Sequence, residues 1–432
     1  MVKRWLAAVR GSTLARNSLW MFTGQGLSLL LQVGYFILIA RLLGASQYGL
    51  LAGTFAMISM LSQYSSIGTG YVFLRYISAS KDDYGVYWGN ILAVTTLCGA
   101  LLSCILVVLG KWLLPHVPLS TVFLLAISDC VFGQLVVCCS QVYQTFERMK
   151  ITATLNLMTN CARTLCAGVL LITLRHCSAG LWAAAIFGIA LVSSFAGLTV
   201  VWRTFGRPHF NFGLMRKRLF EGFIFSLSGS TTAAYNDLDK AMLGHYGMTQ
   251  ANAVYSMAYR MIDVATIPIR SIHAAATPTF FRKGATGAHE SAVYARLILK
   301  RTAPLAVCAV VGLLVFSPLV PLVVGKSFGE SVNVLRWLAV IPILRCFHLS
   351  AGNAIAGAGY QKFRLLSQAS VAAMNFGINC YLIPHYSWRG AAISSILADG
   401  LLAVLNWTVL GLLARRDMQR QRSNDLTFAT ES

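Results

Sequence analysis

Apolar residues fall along this chain in runs of about 20, and a helix of that length crosses a hydrocarbon layer of roughly 30 Å. Twelve such runs lie at about 17–40, 50–74, 86–110, 118–143, 151–174, 178–202, 219–245, 250–275, 303–325, 331–356, 365–384 and 390–413. The connections between them are short, apart from 203–218 and 276–302. Polar positions inside the runs are few and unevenly spread. The densest stretch is 226–281, where two runs joined by a turn near Gly244 to Gln250 carry Asp237, Asp239, Lys240, Arg260, Asp263 and Arg270. The spacing puts Arg260, Asp263 and Arg270 on one face of a helix. A charge inside a membrane helix is costly, and usually faces a partner or a water-filled cavity.

The pattern repeats. Ile39-Ala40-Arg41-Leu42-Leu43-Gly44 closes the first run and Asp239-Lys240-Ala241-Met242-Leu243-Gly244 the seventh. Phe146-Glu147-Arg148-Met149-Lys150 enters the fifth run as Tyr360-Gln361-Lys362-Phe363-Arg364 enters the eleventh, and Ala179-Gly180-Leu181-Trp182-Ala183-Ala184 is matched by Arg389-Gly390-Ala391-Ala392. Six helices return the chain to the side it started from, so the halves are parallel repeats. That plan is common among transporters, with the substrate held between the halves near the midplane. The expected fold is an all-α polytopic membrane protein of about twelve transmembrane helices in two parallel six-helix repeats. Its parts are an N-terminal segment 1–16, a bundle 17–202, a basic linker 203–218, a second bundle 219–413 and a tail 414–432.

Composition agrees. The chain has 432 residues, 56% hydrophobic and 11% charged, which excludes an ordinary soluble protein. Its net charge of +21 would suggest nucleic acid in a soluble chain. Here the basic residues lie mostly between helices and no aromatic-basic module accompanies them, so the partner is the lipid bilayer and not nucleic acid. The two ends and the even-numbered connections hold 24 Lys and Arg, the odd-numbered connections only five. By the positive-inside rule both termini are cytoplasmic. The 11 cysteines are scattered through apolar runs without C-x-x-C, and the eight histidines show no metal-binding spacing. The first apolar run is full length, so it reads as a retained helix and not a signal peptide.

Arg41-Leu42-Leu43-Gly44-Ala45-Ser46-Gln47-Tyr48-Gly49 resembles the R-L-L-G-x-x-x-Y-G turn after the first helix of polysaccharide exporters. Asp239-Lys240-x-x-Leu243-Gly244 followed by Tyr255-Ser256-x-Ala258-Tyr259-Arg260 resembles their central signature. Over its whole length the chain is similar to the Wzx-type O-antigen and exopolysaccharide flippases. These belong to the superfamily that includes multidrug-and-toxin extruders (MATE) and the peptidoglycan lipid flippase. The resemblance implies MATE-like bundles around a central cavity in the bacterial inner membrane. It implies alternating access for an undecaprenyl-diphosphate-linked oligosaccharide, moved from the cytoplasmic to the periplasmic leaflet for O-antigen, capsule or exopolysaccharide synthesis. No covalent chemistry or cofactor is expected. Na+ or H+ coupling stays open, as does association with a polysaccharide polymerase and a chain-length regulator. Two competitors are a drug exporter of the sister family and a membrane polymerase or ligase. The first would prefer an acidic, aromatic cavity; the second commonly needs a large periplasmic loop.

Against that expectation the intramembrane charges fall into two sets. Arg163, Arg260 and Arg345 lie near the middle of their runs, and a planar guanidinium fork matches diphosphate oxygens. Asn156 and Asn160 share a face with Arg163, and His348 follows Arg345 by three residues. Arg270 and Arg336, nearer opposite ends, read either as snorkelling residues or as the ends of a cationic path. Lys240 is a further candidate for the substrate. The competing reading is internal pairing, Arg260 with Asp263 and Lys240 with Asp237 or Asp239. The second set, Asp237, Asp239, Asp263 and Asp399 with Asn375 and Asn379, offers oxygen ligands for a coupling cation. The related peptidoglycan flippase implies such a site on spans seven, eleven and twelve. Asp129 is a further intramembrane acid, and Asp237-x-Asp239 matches a D-x-D metal motif only superficially. Ser226, Ser228, Ser230, Thr231, Thr232 and Asn236 would line a sugar-compatible cavity or bond back to carbonyls. Gly34, Gly53, Pro268 and Pro342 are candidate bending points.

Overall fold

The computed structural model describes residues 13–78, 83–174 and 176–431, with side chains described within 26–419. Most of the expected N-terminal segment, together with Lys81 and Arg175, lies outside the described residues. Among the described residues there are helices and connections and no strand. The chain is an all-α, multi-pass membrane protein.

Each predicted run coincides with a helix or with helices joined at a break. The first two runs share α1 (Thr13–Ser62), which kinks at Gly44 (φ 67°, ψ 172°). That conformation is open to glycine and costly for residues with a Cβ. The Arg-Leu-Leu-Gly turn is thus a single-residue kink and not a loop. The second run finishes in α2 (Thr69–Ile77). Next come α3 (Tyr84–Leu113), then α4 (Leu119–Ile127), a π-helical segment Ser128–Gly133 and α5 (Gln134–Thr145). The first half ends with α6 (Met149–Leu174) and α7 (Ala179–Phe205).

The second half opens with α8 (Phe212–His245). The eighth run is α9 (Thr249–Ala265) and α10 (Ile267–Ala285), separated at Thr266 just before Pro268. Then follow α11 (Ala288–Phe316), a short α12 (Val320–Val324), α13 (Ser331–Leu338) and α14 (Ile341–Gly357). α13 and α14 meet at a 40° bend, with Pro342 in the first turn of α14. Both breaks have the same cause: proline is accepted in a helix's first turn but not in its interior. The chain ends with α15 (Gln361–Tyr386) and α16 (Trp388–Glu431). The connection expected at 276–302 is mostly helical. α10 and α11 run through it and turn at Gly287 (φ 137°).

Seven described helical stretches are long and apolar enough to cross a membrane, eight if the bent pair counts as one span. The runs outside that count are α8, α9 with α10, and α15. These hold most of the intramembrane charges and amides named above, so low hydropathy and candidate chemistry have one origin.

The described residues divide into two compact units at Ala233 and Ala234, inside α8. Within unit 1 the first part of α8 lies against the end of α1 and the start of α2. A Cβ on Gly68 would come within 2.1 Å of the Gly222 carbonyl oxygen, and Ser230 Oγ donates to the Met60 carbonyl at 2.8 Å. The core of unit 1 is aromatic, with Phe73, Tyr84, Trp88 and Tyr143 packed among Cys138, Cys139 and Val142. In unit 2 the core of α10, α11, α14 and α16 is built on Ala276, Ala292, Ala295, Ala351 and Ala354. Small residues let helix backbones approach closely, which matters where lipid removes most of the hydrophobic drive for association.

Candidate functional site

The most elaborate polar site is built within unit 2, where α8, α9, α15 and α16 converge on one carboxylate. Asp239 Oδ1 accepts hydrogen bonds from Asn375 Nδ2 and Asn379 Nδ2, both at 3.0 Å. Its Oδ2 accepts from Tyr255 Oη at 2.6 Å and Ser395 Oγ at 2.5 Å. Asn375 and Asn379 are one turn apart on α15, so they reach the same neighbour. Asn379 also donates to Asn375 Oδ1 at 2.8 Å and accepts from Ser394 Oγ at 2.5 Å. Every group in this layer is buried, and an unmatched polar group here would cost more than in water.

A second layer lies one helical turn away. Tyr235 precedes Asp239 by four residues, Tyr259 follows Tyr255 by four and Asp399 follows Ser395 by four. Tyr235 Oη donates to Asp399 Oδ1, and His348 Nε2 stands 3.6 Å from the same oxygen. Arg345 Nη1 donates to Asp263 Oδ1 at 2.8 Å; the guanidinium carbon lies 5.7 Å from the centre of the Tyr259 ring, and the group is within electrostatic reach of Asp399. Tyr235, Asp239, Tyr259, Arg345, Asn375 and Asp399 line a small pocket between the layers. It has room for about one water-sized occupant.

The structure thus brings Asp239, Asn375 and Asn379 into one cluster, with Asp399, Arg345 and Asp263 beside it. Asp237 belongs elsewhere. It pairs with Lys240 at 2.6 Å, and the Lys240 ammonium lies 5.2 Å from the Tyr259 ring centre. The two acids of the D-x-D sequence therefore point to different neighbours, as residues two apart on a helix must. Asp263 Oδ1 accepts from Arg345, a partner the sequence did not suggest, and its backbone carbonyl accepts from Arg270 Nη2 at 2.9 Å. Arg260 is partly buried on α9, and Arg270 and Arg336 are exposed.

Arg163 lies in unit 1 on α6. Its Nε is buried without a hydrogen-bond partner among the described residues, and Asp129, in the π-helical segment, is within electrostatic reach. Asn156 and Asn160 turn to neighbours, accepting from Ser140 Oγ at 3.4 Å and donating to Ser28 Oγ at 2.5 Å. Thr231 and Thr232 bond back to Leu227 and Ser228 carbonyls at 2.8 and 3.0 Å, which is the packing alternative for that polar stretch. Among the described residues no three His, Cys, Asp or Glu side chains are grouped to hold a metal ion.

Sequence reasoning did not assign Tyr235, Tyr255, Tyr259, Ser394 or Ser395 to the site. A signal was present, because Tyr235/Asp239, Tyr255/Tyr259 and Ser395/Asp399 are three polar pairs at one-turn spacing on neighbouring helices.

Residues 14–283 match the model of a family described as polysaccharide biosynthesis protein. No curated protein matches the chain. Among solved structures, a multidrug resistance MATE family transporter of the MOP superfamily, in an inward-facing conformation, is similar with a TM-score of 0.75 and 16% identity. That match covers 90% of this chain and 95% of the transporter. The lipid II flippase MurJ, in an inward closed conformation, is similar with a TM-score of 0.72 and 13% identity over 91% of this chain and 87% of MurJ. A MOP superfamily transporter from Pyrococcus furiosus gives a TM-score of 0.62 and 16% identity, covering 93% and 95%. At these identities the likeness is one of fold.

Proposed function

The chain belongs to the polysaccharide biosynthesis protein family, and from that premise we propose that it is a flippase for undecaprenyl-diphosphate-linked oligosaccharide. It carries the repeat unit from the cytoplasmic to the periplasmic leaflet of a bacterial inner membrane by alternating access, with both termini cytoplasmic. The observation that carries this reading is Arg345, a guanidinium within a membrane-spanning segment whose hydrogen-bonded counter-ion is the carboxylate of Asp263. A diphosphate offers several anionic oxygens to the same planar fork and competes with that carboxylate. Within unit 2, Arg260, Arg270 and Lys240 join Arg345 in receiving the head group, and Arg163 in unit 1 is a separate candidate for the same diphosphate. The barrier to be lowered is desolvation of a polar head, which needs no bond to form or break.

Coupling to a cation gradient falls to the acids and amides of unit 2. Asp239 with Asn375 and Asn379 gathers oxygens and amides, and Asp399 adds a second carboxylate one turn away. Delivery to a polysaccharide polymerase and chain-length regulator would follow.

A MATE-like exporter of cationic amphiphiles is the second reading. The tyrosines and acids around the unit 2 pocket favour it, since aromatic faces and carboxylates attract cations. One experiment separates the two. Proteoliposomes holding a fluorescent undecaprenyl-diphosphate saccharide are exposed to an impermeant quencher, which reports movement between leaflets. The wild type should flip the lipid. Arg260→Ala and Arg345→Ala should slow it at least tenfold at equal protein content, and Arg260→Lys should recover only part. Transport of a cationic dye without flipping of the lipid would overturn the flippase reading.

A further inference from the structure

The buried polar groups of unit 2 do not stop at the two layers. They continue along α14 and α16 to the first turn of α15. His348, whose Nε2 faces Asp399, accepts at its backbone carbonyl from Asn406 Nδ2 at 3.3 Å. Asn406 Nδ2 and Arg364 Nε converge on Gly352, one turn beyond His348, at 3.3 and 3.5 Å from where a Cβ would stand. Asn353, the next residue, meets His273 Nδ1 at 3.4 Å.

Three atoms in this series, His348 Nε2, Asn406 Oδ1 and His273 Nε2, are buried without a hydrogen-bond partner among the described residues. His273 is 3% exposed and His348 9%. Arg364 adds a guanidinium without an ion pair among the described residues. Buried polar atoms left unmatched by protein are ordinarily matched by water. Three such atoms on α10, α14 and α16, with the Arg364 guanidinium beside Asn406 Nδ2 at Gly352, describe a hydrated route.

We propose that this route carries the coupling proton through the interior of unit 2, with His348 relaying it between Asp399 and the Arg364 end. The inference rests on the coupling part of the function proposed above, and names the ion and a relay residue. A proton on the Asp399 carboxyl passes to His348 Nε2, leaving a carboxylate. The imidazolium releases its Nδ1 proton to water, and the neutral ring returns to its first tautomer through water exchange. Charge and protons balance at each hop. The groups that face His348 are Asp399 on α16, Tyr235 on α8, His273 on α10, Arg364 on α15 and Arg345 on its own helix. Asp263 and Tyr259 on α9 are turned to Arg345 instead.

The test uses full-length protein in liposomes with trapped pyranine, under a potassium-diffusion potential negative inside. The same preparation is assayed for flipping of the fluorescent lipid diphosphate. Wild type should acidify the lumen above protein-free liposomes. His348→Gln, which keeps a polar side chain but cannot relay, should lose at least tenfold of that flux. Asn406→Leu, which dries the route beyond His348, should lose severalfold. Ser331→Ala alters a buried hydroxyl off the route, equally without a partner among the described residues, and should leave flux unchanged. Melting curves identify any variant that fails to fold, and the Asn406 variant then carries the test. Wild-type flux from both His348→Gln and Asn406→Leu would overturn the relay. So would a wild type that flips lipid without proton entry, which would leave the flippase reading standing. His348-dependent proton entry without lipid flipping would support the relay and count against the flippase reading instead.

Discussion

The two units differ in how far their cross-helix polar bonds are gathered into one place. In unit 1 local bonds, such as Thr54 and Ser103 each donating to the carbonyl one turn back at 2.8 Å, stand beside single cross-helix bonds, such as Thr152 Oγ1 to the Ser140 carbonyl at 3.3 Å. Its core is an aromatic cluster, and its mid-span arginine, Arg163, keeps a buried Nε without a partner among the described residues. In unit 2 polar side chains bond across helices, with four donors from three helices on Asp239 alone. A local bond adds little to tertiary structure, since the helix forms without it. A cross-helix network ties helix positions to one another, and a change at one member reaches the rest. Unit 2 therefore concentrates its cross-helix bonds in one polar lattice, while those of unit 1 are scattered singly, and the lattice is the better place for an ion to act on structure.

The difference predicts unequal sensitivity. Asp239→Leu would remove the acceptor shared by four buried donors, of which Asn379, Tyr255 and Ser395 keep a second partner and Asn375 Nδ2 does not, so at about 1–3 kcal/mol for each unsatisfied donor a loss of a few kcal/mol is expected. Ser103→Ala removes a single local bond and should cost less than about 1 kcal/mol. Melting of the detergent-solubilised protein, followed by retention of the monodisperse peak, measures both. A Ser103 loss equal to that of Asp239→Leu would erase the contrast. Asp239→Asn should fall between, because the amide keeps one oxygen acceptor and turns the other position into a donor.

The same contrast explains what the sequence reveals. Twelve helical runs, two repeats and a membrane setting are legible because hydropathy and loop charge act locally, residue by residue. The proline breaks are legible too, as Pro268 and Pro342 stand just after the interruptions. The helical character of 276–302 is not, since polarity there says only that the segment leaves the apolar layer. The Asp239 cluster is half legible: Asn375 and Asn379 announce themselves as one face, but Tyr255 and Ser395 join only through packing. Partner choice is the least legible part. Asp263 is one turn from Arg260 in sequence, yet its Oδ1 takes Arg345, 82 residues away. Local spacing shows which pairs can meet and is silent on competitors from other helices.

The arginines sharpen the contrast at intermediate scale. Arg345→Ala removes the counter-ion of Asp263, and losing one member of a buried pair costs roughly 3–5 kcal/mol. Asp263 is 35% exposed, so water recovers much of that, and a loss of no more than about 2 kcal/mol is expected. Arg163→Ala breaks no bond to a described residue and should leave the melting point nearly unchanged. Each substitution, taken singly, should slow lipid flipping about tenfold or more. Melting and flipping, measured on the same preparations, separate the two roles. A destabilised Arg163 variant with a stable Arg345 variant would reverse the assignment of open and held arginine.

The smallest effects should come from the partly exposed ion pairs, where the units ought to agree. Unit 1 has Arg75 with Glu221 at 2.6 Å, and unit 2 has Lys240 with Asp237 at the same distance. Side-chain exposure is 64% and 22% in the first pair, 14% and 30% in the second. Exposed pairs typically contribute about 0.2–1 kcal/mol, because water solvates the separated charges well and salt screens their attraction. Glu221→Gln keeps an oxygen for the Tyr76 hydroxyl, which now donates to Glu221 at 3.0 Å, so mainly the charge term is lost. Asp237→Asn likewise keeps an oxygen for Lys240. Each should lower stability by less than about 1 kcal/mol, with the Glu221 effect shrinking as salt rises from low to high ionic strength. Lys240 is the less exposed cation and sits near Tyr259, so the Asp237 effect should resist salt more. Melting curves at two salt concentrations test this. If Asp237→Asn were as costly as Asp239→Leu, its pair would belong to the polar lattice of unit 2, and the boundary drawn between Asp237 and Asp239 would have to move.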